Sequence, residues 1–172
     1  MTAINILSEE HKLLLKAVEI TKGIQKIKDN DIFYSKIRDI ILFFRNFSEI
    51  YHHPKEENIL YPLLRNRSVN MSPEFIREIC DTHEDFKSMM AEIESNYLAY
   101  DYHLLRNAID QYIDGIQEHI QQENKIILSV ADKLLNEKEL EFALNKFQKH
   151  DEDHAGKEEL IEDFFKINLQ FV

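Results

Sequence analysis

Two histidine–glutamate pairs with identical spacing constrain the fold of this chain more than any other feature. His52 precedes Glu56 by four residues, and His119 precedes Glu123 by four residues. Residues four apart stand above one another on an α-helix, so each pair can present an imidazole and a carboxylate on the same side. Both groups are good ligands for iron, manganese or zinc. The pairs therefore predict helices that carry metal-ligating groups.

A lone histidine precedes each pair at a similar interval, His11 before the first pair and His83 before the second. One such pair is common by chance in acidic helical proteins, but the duplicated pattern describes a metal site shared by four helices. Burying four histidines and two carboxylates at one level without a metal would bring several desolvated polar groups together at a large energetic cost. A metal site is therefore favoured over a set of ordinary core histidines.

The composition favours one soluble, helical domain spanning residues 1–172. This length allows a substantial core, and only three glycines and three prolines indicate long helices. The formal net charge of −11 disfavours nucleic acid as a partner, and no basic amphipathic stretch indicates a membrane surface. Transmembrane and signal-peptide patterns are missing, and the single Cys80 excludes an intramolecular disulfide framework. We expect a cytoplasmic protein.

Apolar residues recur at helical spacing over about residues 5–28, 33–65, 73–97 and 101–134. In the second segment the inward stripe ends in Ile59 and Leu63, and Pro54 is expected to interrupt the helix. In the fourth segment the stripe includes Ile126. The third helix is expected to open at Ser72, a plausible N-cap followed by proline. Two further amphipathic segments, about residues 138–154 and the stretch after residue 156, read as an appended cap.

These elements predict an all-α fold, an up-down-up-down four-helix bundle with appended C-terminal helices. The core bundle is expected over about residues 4–135 and the cap over about residues 137–170. At about 1.5 Å per residue, His11 and His52 lie about 26 and 28 Å from the connection between the first and second helices. His83 and His119 each lie about 24 Å from the connection between the third and fourth helices. The four levels agree to within one helical turn.

Six groups that include two carboxylates able to bridge suit two metal ions better than one. In the most economical arrangement, each ion takes the two histidines from one half of the chain and both carboxylates bridge the ions. Iron is preferred because mixed imidazole and carboxylate ligation without thiolate suits it, and manganese and zinc remain alternatives. The predicted ligands are His11, His52, Glu56, His83, His119 and Glu123.

The ordered motifs resemble those of hemerythrin-like proteins, the HHE cation-binding family. The resemblance covers nearly the whole chain and rests on His11, residues 52–62, residues 82–84 and residues 119–123. It implies a helical bundle that holds a carboxylate-bridged non-haem di-iron centre. Members of this family include oxygen carriers, sensors of oxygen or iron, and proteins implicated in repairing damage from nitric oxide and oxidants.

Two departures set this chain apart from the oxygen carriers, and its ligand set resembles that of the diverged intracellular branch more closely. The carriers have two histidines four apart on the third helix, whereas Lys87 occupies the second position here, and their last motif spaces histidine and aspartate by five residues. The resemblance thus implies that one iron lacks an imidazole and has a water or open position, unless His53 compensates. We therefore expect oxidation by oxygen or peroxide rather than reversible oxygen transport.

His53 and Glu57 form a second pair at the same spacing, offset by one residue. The family pattern selects His52 and Glu56 instead. Because Pro54 removes a helical hydrogen bond and can kink the backbone, His53 stays open as an additional ligand, with a flanking or supporting position as the alternative. Glu57 is expected to be solvated or to support a ligand from outside the site.

Five further residues allow two interpretations each. Cys80 is expected to be a buried small hydrophobe rather than a redox partner of the metals. Tyr51 and Tyr112 either bond to the site or pack, and the sequence favours packing. His150 and His154 are again four apart, but they lie on the appended helix, where a surface or cap-packing role is favoured over a second metal site.

Three functions remain open at this point. The chain binds or senses dioxygen or redox state, it is an enzyme that detoxifies peroxide or nitric oxide, or it holds iron for delivery. No separate nucleophile, cofactor loop or substrate motif favours the enzyme. We therefore favour an oxygen- or redox-responsive di-iron protein whose partners are small ligands such as O2, peroxide or NO, with detoxification as the alternative.

Overall fold

The computed structural model describes residues 2–66 and 73–171, and every regular element among them is helical. None of the helices in these ranges combines the length and apolar character needed to cross a membrane. The elements in chain order are α1 (Ala3–Gln25), α2 (residues 30–65), α3 (Pro73–Leu98), α4 (residues 102–134), α5 (Glu137–Asp153), α6 (Lys157–Asn168) and a short 3₁₀ turn (Leu169–Phe171).

Side-chain caps define where four of the helices begin, and Asn136 forms one of them at the start of α5. Thr2 forms a capping box with Asn5 at the start of α1, which satisfies backbone donors that have no partner within the helix. Asp29 and Asp101 cap α2 and α4 in the same way by accepting hydrogen bonds from backbone N–H groups. The predicted cap at Ser72 lies outside the described residues.

The first four helices form the predicted bundle, in which α1 packs against α2 and α4, and α3 packs against the same two helices. The core consists of two apolar clusters, one containing Leu14, Phe44 and Ile116 and the other containing Leu7 and Leu64. On each helix the candidate site residues fall between members of the two clusters. The site is thus a polar layer enclosed by apolar packing on both sides.

The two helices that carry the His-x-x-x-Glu pairs contain π-helical segments, at Phe44–His52 and Glu56–Leu60 in α2 and at Glu123–Leu128 in α4. Pro54 was expected to interrupt α2, yet the helix continues through it. The backbone N–H of His53 donates to the carbonyl of Ser48, five residues earlier. This longer bond accommodates an extra residue within a turn and lets the helix pass its proline.

The π segments also correct the predicted core stripes. Leu60 and Leu64 are buried where Ile59 and Leu63 were expected. In α4 the predicted core residue Ile126 is 36% exposed, while Ile127 and Leu128 are buried. Because a π turn holds more residues than an α turn, the inward face moves by one position after each pair. The prediction was wrong here because it assumed an uninterrupted α-helical period.

The C-terminal helices share the core of the bundle. Phe147 on α5 belongs to the second apolar cluster, and Phe164 on α6 stacks on Phe43 with ring centroids 4.3 Å apart. The chain then returns along α1, where a Cβ atom on Gly23 would lie 1.6 Å from the carbonyl oxygen of Phe171. Only glycine permits so close an approach. The cap therefore packs directly on the elements that build the polar layer.

Candidate metal centre

The structure brings all seven candidate residues into the polar layer, and each is at most 5% exposed. Among the described residues they form two groups, and within each group the ligand atoms lie within 4.8 Å of one another. The first group is His11, His52, Glu56 and Glu123, and the second group is His53, His83 and His119.

In the first group, two imidazoles face two carboxylates. His11 Nε2 lies 3.4 Å from Glu56 Oε1 and 3.4 Å from Glu123 Oε2. His52 Nε2 lies 3.6 Å from Glu56 Oε2. These separations exceed those of normal N–H···O hydrogen bonds. The groups surround a common space without pairing directly.

The second group faces the same carboxylates from the other side. His83 Nε2 lies 2.8 Å from His119 Nε2, 3.6 Å from Glu123 Oε1 and 3.8 Å from Glu56 Oε2. His119 Nε2 lies 3.2 Å from Glu123 Oε2. Both carboxylates therefore face histidines of both groups.

Three of the histidines donate a hydrogen bond from Nδ1 to an oxygen outside the layer: His11 to Asn124 Oδ1 at 2.8 Å, His52 to Glu10 Oε2 at 2.9 Å and His83 to Glu57 Oε1 at 2.7 Å. Since these acceptors are amide or carboxylate oxygens, Nδ1 carries the proton in each case. The Nε2 atom of each ring then faces the layer, where it would be free to bind a metal after loss of any proton that it carries. Such outer hydrogen bonds orient metal-ligating histidines in proteins.

His53 lies inside the layer and not on its flank. Its ring stacks on that of His83 with centroids 3.9 Å apart and an interplanar angle of 3°. Its Nε2 lies 3.2 Å from the hydroxyl oxygen of Ser48. Burial and the neighbouring His83 hold the pKa of His53 well below its usual range. The ring is therefore neutral, which is the form that binds metals.

Several buried atoms of the layer have no hydrogen-bond partner among the described residues. These atoms are His11 Nε2, His53 Nδ1, both carboxylate oxygens of Glu56 and Glu123 Oε2. Buried polar atoms without partners are rare, and each costs free energy. A cation within the layer would satisfy them, and imidazole with carboxylate is a donor set that binds divalent metals. The residues present therefore fit a metal ion.

When no metal ion is bound, protons on the histidines supply part of the positive charge that the buried carboxylates need. Burial alone would lower the pKa of His11, but the carboxylates of Glu123 and Glu56 raise it to about 10. Burial acts in the same direction on His83, and Glu123 and Glu57 raise its pKa to about 9. The layer is thus strongly attractive to positive charge. A metal ion must displace protons from these two histidines at neutral pH.

Several residues that support the site were not predicted from the sequence. Glu10 and Asn124 accept hydrogen bonds from two of the histidines. The only feature of the sequence that points to them is that each is adjacent to a candidate ligand. The Tyr61 hydroxyl donates a hydrogen bond to Glu123. Lys55 is fully buried beside Glu10, although a lysine in an amphipathic helix is usually solvated. Lys87, in contrast, lies at the surface, where it pairs with a glutamate of its own helix.

Of the five residues for which the sequence allowed two interpretations, some pack in the core and others form hydrogen bonds with the cap. Cys80 is half-buried against the second apolar cluster. Tyr112 is buried and packs as expected, but Tyr51 also donates to Asp151, so packing alone does not describe it. His150 and His154 bond to backbone carbonyls of the cap and of α2. Within the described part of the chain, neither histidine belongs to a metal-holding group.

Comparison with known proteins agrees with this geometry. The profile of the hemerythrin HHE cation-binding domain matches residues 2–131, a range that includes all seven candidate residues. Searches of curated proteins and of solved structures found no match. The buried histidine and glutamate groups fit a metal-binding protein. On the profile match over most of its length, the chain belongs to the hemerythrin HHE cation-binding domain family.

Proposed function

We propose that the chain holds two metal ions in the polar layer, with Glu56 and Glu123 bridging them. The observation that carries this proposal is that each carboxylate faces histidines of both groups while three Nδ1 atoms are bonded outside the layer. Iron is the preferred metal because the donors are nitrogen and oxygen without thiolate. Manganese and zinc are the alternatives that metal analysis would distinguish.

The two ions take unequal numbers of imidazoles in this proposal. His11 and His52 hold one ion, whereas His83, His119 and His53 hold the other. His53 thereby replaces the imidazole that is missing at Lys87, because its ring already lies against His83. The ion with two imidazoles would then be the one to which an exogenous ligand binds.

We infer that the centre binds or responds to dioxygen or to redox state. Bound iron would supply the change of oxidation state and the open position that such a response needs. The protein's own contribution is to restrict access, since residues at most 5% exposed admit only small ligands. Tyr61 and the outer acceptors on Nδ1 hold the ligating groups in place.

Anaerobic reconstitution with Fe²⁺ tests this function. We expect two ions per chain by elemental analysis and an absorption change when the reduced protein meets oxygen. Separate exposure to peroxide and nitric oxide distinguishes the alternatives, because reversible spectra indicate binding and sustained turnover indicates a detoxifying enzyme. A consistent content of one ion or none would contradict the paired centre.

A further inference from the structure

A fully buried lysine connects the candidate metal centre to the C-terminal helices. Lys55 on α2 is 0% exposed, and its Nζ lies 2.6 Å from Glu10 Oε1 and 2.8 Å from Asp151 Oδ1. A buried ammonium group is costly unless anionic partners surround it. One of these partners comes from α1 and the other from α5. The position of Lys55 thus depends on both helices at once.

Toward the metal centre, Glu10 is shared between Lys55 and His52. One of its carboxylate oxygens accepts from Lys55 and the other accepts from His52 Nδ1 at 2.9 Å. The pairing with Lys55 therefore limits where the carboxylate can lie, and the carboxylate orients the His52 ring. Loss of such an outer partner commonly weakens metal binding by about 10-fold to 100-fold.

Toward the surface, Asp151 gathers three donors near the junction of α5 and α6. Its Oδ1 accepts from Lys55 and, at 2.6 Å, from the hydroxyl of Tyr51. Its Oδ2 lies 2.8 Å from the Nζ of Lys157, the first residue of α6. The ionic chain therefore runs from His52 through alternating negative and positive groups into both C-terminal helices.

Asp151 and Lys157 lie beyond residue 131, where the match to the family domain ends. We propose that Asp151 is a positioning residue for the metal centre, acting through Lys55 and Glu10 on His52, so that metal binding and docking of the C-terminal helices stabilise each other. This inference rests on the proposed metal-binding function. Thermodynamic linkage requires that the two effects be reciprocal and equal in size.

Hydrogen exchange of the full chain, measured with and without bound Fe²⁺ under anaerobic conditions, tests the inference. We expect metal to slow amide exchange in α5 and α6 by about 10-fold, within the usual range of coupling between sites. Asp151→Asn should abolish this increment while metal still protects the bundle helices. It should also weaken Fe²⁺ binding, measured by chelator competition, by the same factor. Glu152→Gln removes an equal charge from an exposed position on the same helix and should retain both properties.

A purely structural role for Asp151 has a different signature. Asp151→Asn would then speed exchange in α5 and α6 equally with and without metal, and an unchanged metal-dependent increment would overturn the proposal. If this variant does not fold, Lys157→Met serves instead, because Lys157 holds Asp151 from α6 at a partly exposed position. Lys157→Met should reduce both the metal-dependent slowing of amide exchange in α5 and α6 and the affinity for Fe²⁺. If either one stays at its wild-type value, the coupling is rejected.

Failure of the inference can be separated from failure of the proposed function. A wild-type chain that binds no metal would reject the metal centre itself. A wild-type chain that binds two ions but shows no metal-dependent protection of α5 and α6 would leave the centre intact and overturn the positioning role of Asp151.

Discussion

The two ligand groups face the same pair of carboxylates, yet the protein supports them differently. In the first group, the outer partner of His52 is Glu10, which is itself held by the buried Lys55. In the second group, the outer partner of His83 is Glu57, whose side chain is 26% exposed, and the ring is otherwise supported by stacking on His53. Buried charge holds one half of the centre, and ring packing holds the other.

This difference suggests a division of roles between the proposed metal positions. In the proposed centre, the second group would offer three imidazoles to its ion. The first group offers two imidazoles, so its ion would have room for an exogenous ligand. We therefore expect exogenous ligands to react at the ion of the first group, which the C-terminal helices support through Lys55.

Removal of a carboxylate that faces both groups should produce the largest effect, because both proposed ions would lose a ligand. We expect Glu56→Ala to reduce the metal content from two ions toward none after anaerobic reconstitution. Glu57→Ala removes only the outer acceptor of His83, so it should weaken binding by about 10-fold to 100-fold and leave the stoichiometry at saturation unchanged. Equal metal retention by the two variants would contradict the assignment of Glu56 as the bridge.

Removal of His53 should affect only the second half. His53→Ala leaves His83 and His119 with the carboxylates, and we expect chelator competition to show one weakened ion while the other keeps its wild-type affinity. His103→Ala, an exposed histidine on α4, is the control and should bind both ions normally. If both ions keep their wild-type affinity in the His53→Ala variant, His53 supports the site without binding a metal.

Chelation should destabilise the whole molecule, since apo protein must keep the unpaired buried atoms of the layer without a cation. Metal present at 1,000 times its dissociation constant stabilises the native state by about 4 kcal/mol. For a domain of this size that corresponds to a fall of about 8 to 16 °C in Tm after metal removal. Calorimetry before and after verified chelation measures it, and an unchanged transition would show that the bundle tolerates the empty layer.

The sequence allowed the bundle, its metal motifs and its cap to be predicted because helical periodicity places residues four apart on one face. Ile126 shows where this reasoning fails, since a π segment shifts the inward face by one residue without a local sequence signal. Lys55 shows a second limit. Its burial depends on Asp151, 96 positions later in the sequence (151 − 55), and only the folded cap brings the two charges together.

The two halves should also differ in how they respond to alkaline pH in the apo protein. The pKa of His83 is raised to about 9 and that of His11 to about 10, both above the value near 6.5 of an unfolded chain. Each proton therefore stabilises the fold fully below about pH 6.5, and the stabilisation is lost as the pH rises through the folded pKa. The Tm of apo protein should therefore fall as the pH rises above about 6.5. It should fall less steeply once the second group has lost its proton near pH 9, and it should level off once the first group has done so near pH 10.

Metal should remove this dependence, because Nε2 of each histidine then binds the ion in place of a proton. The loaded protein should keep a nearly constant Tm over the same range, and loading at neutral pH should release protons that a weakly buffered indicator detects. His11→Gln should make the fall of the apo curve less steep and should end it near pH 9 in place of pH 10, because it removes the proton of the first group alone. A loaded protein that loses stability in parallel with the apo protein would mean that these histidines do not exchange protons for metal.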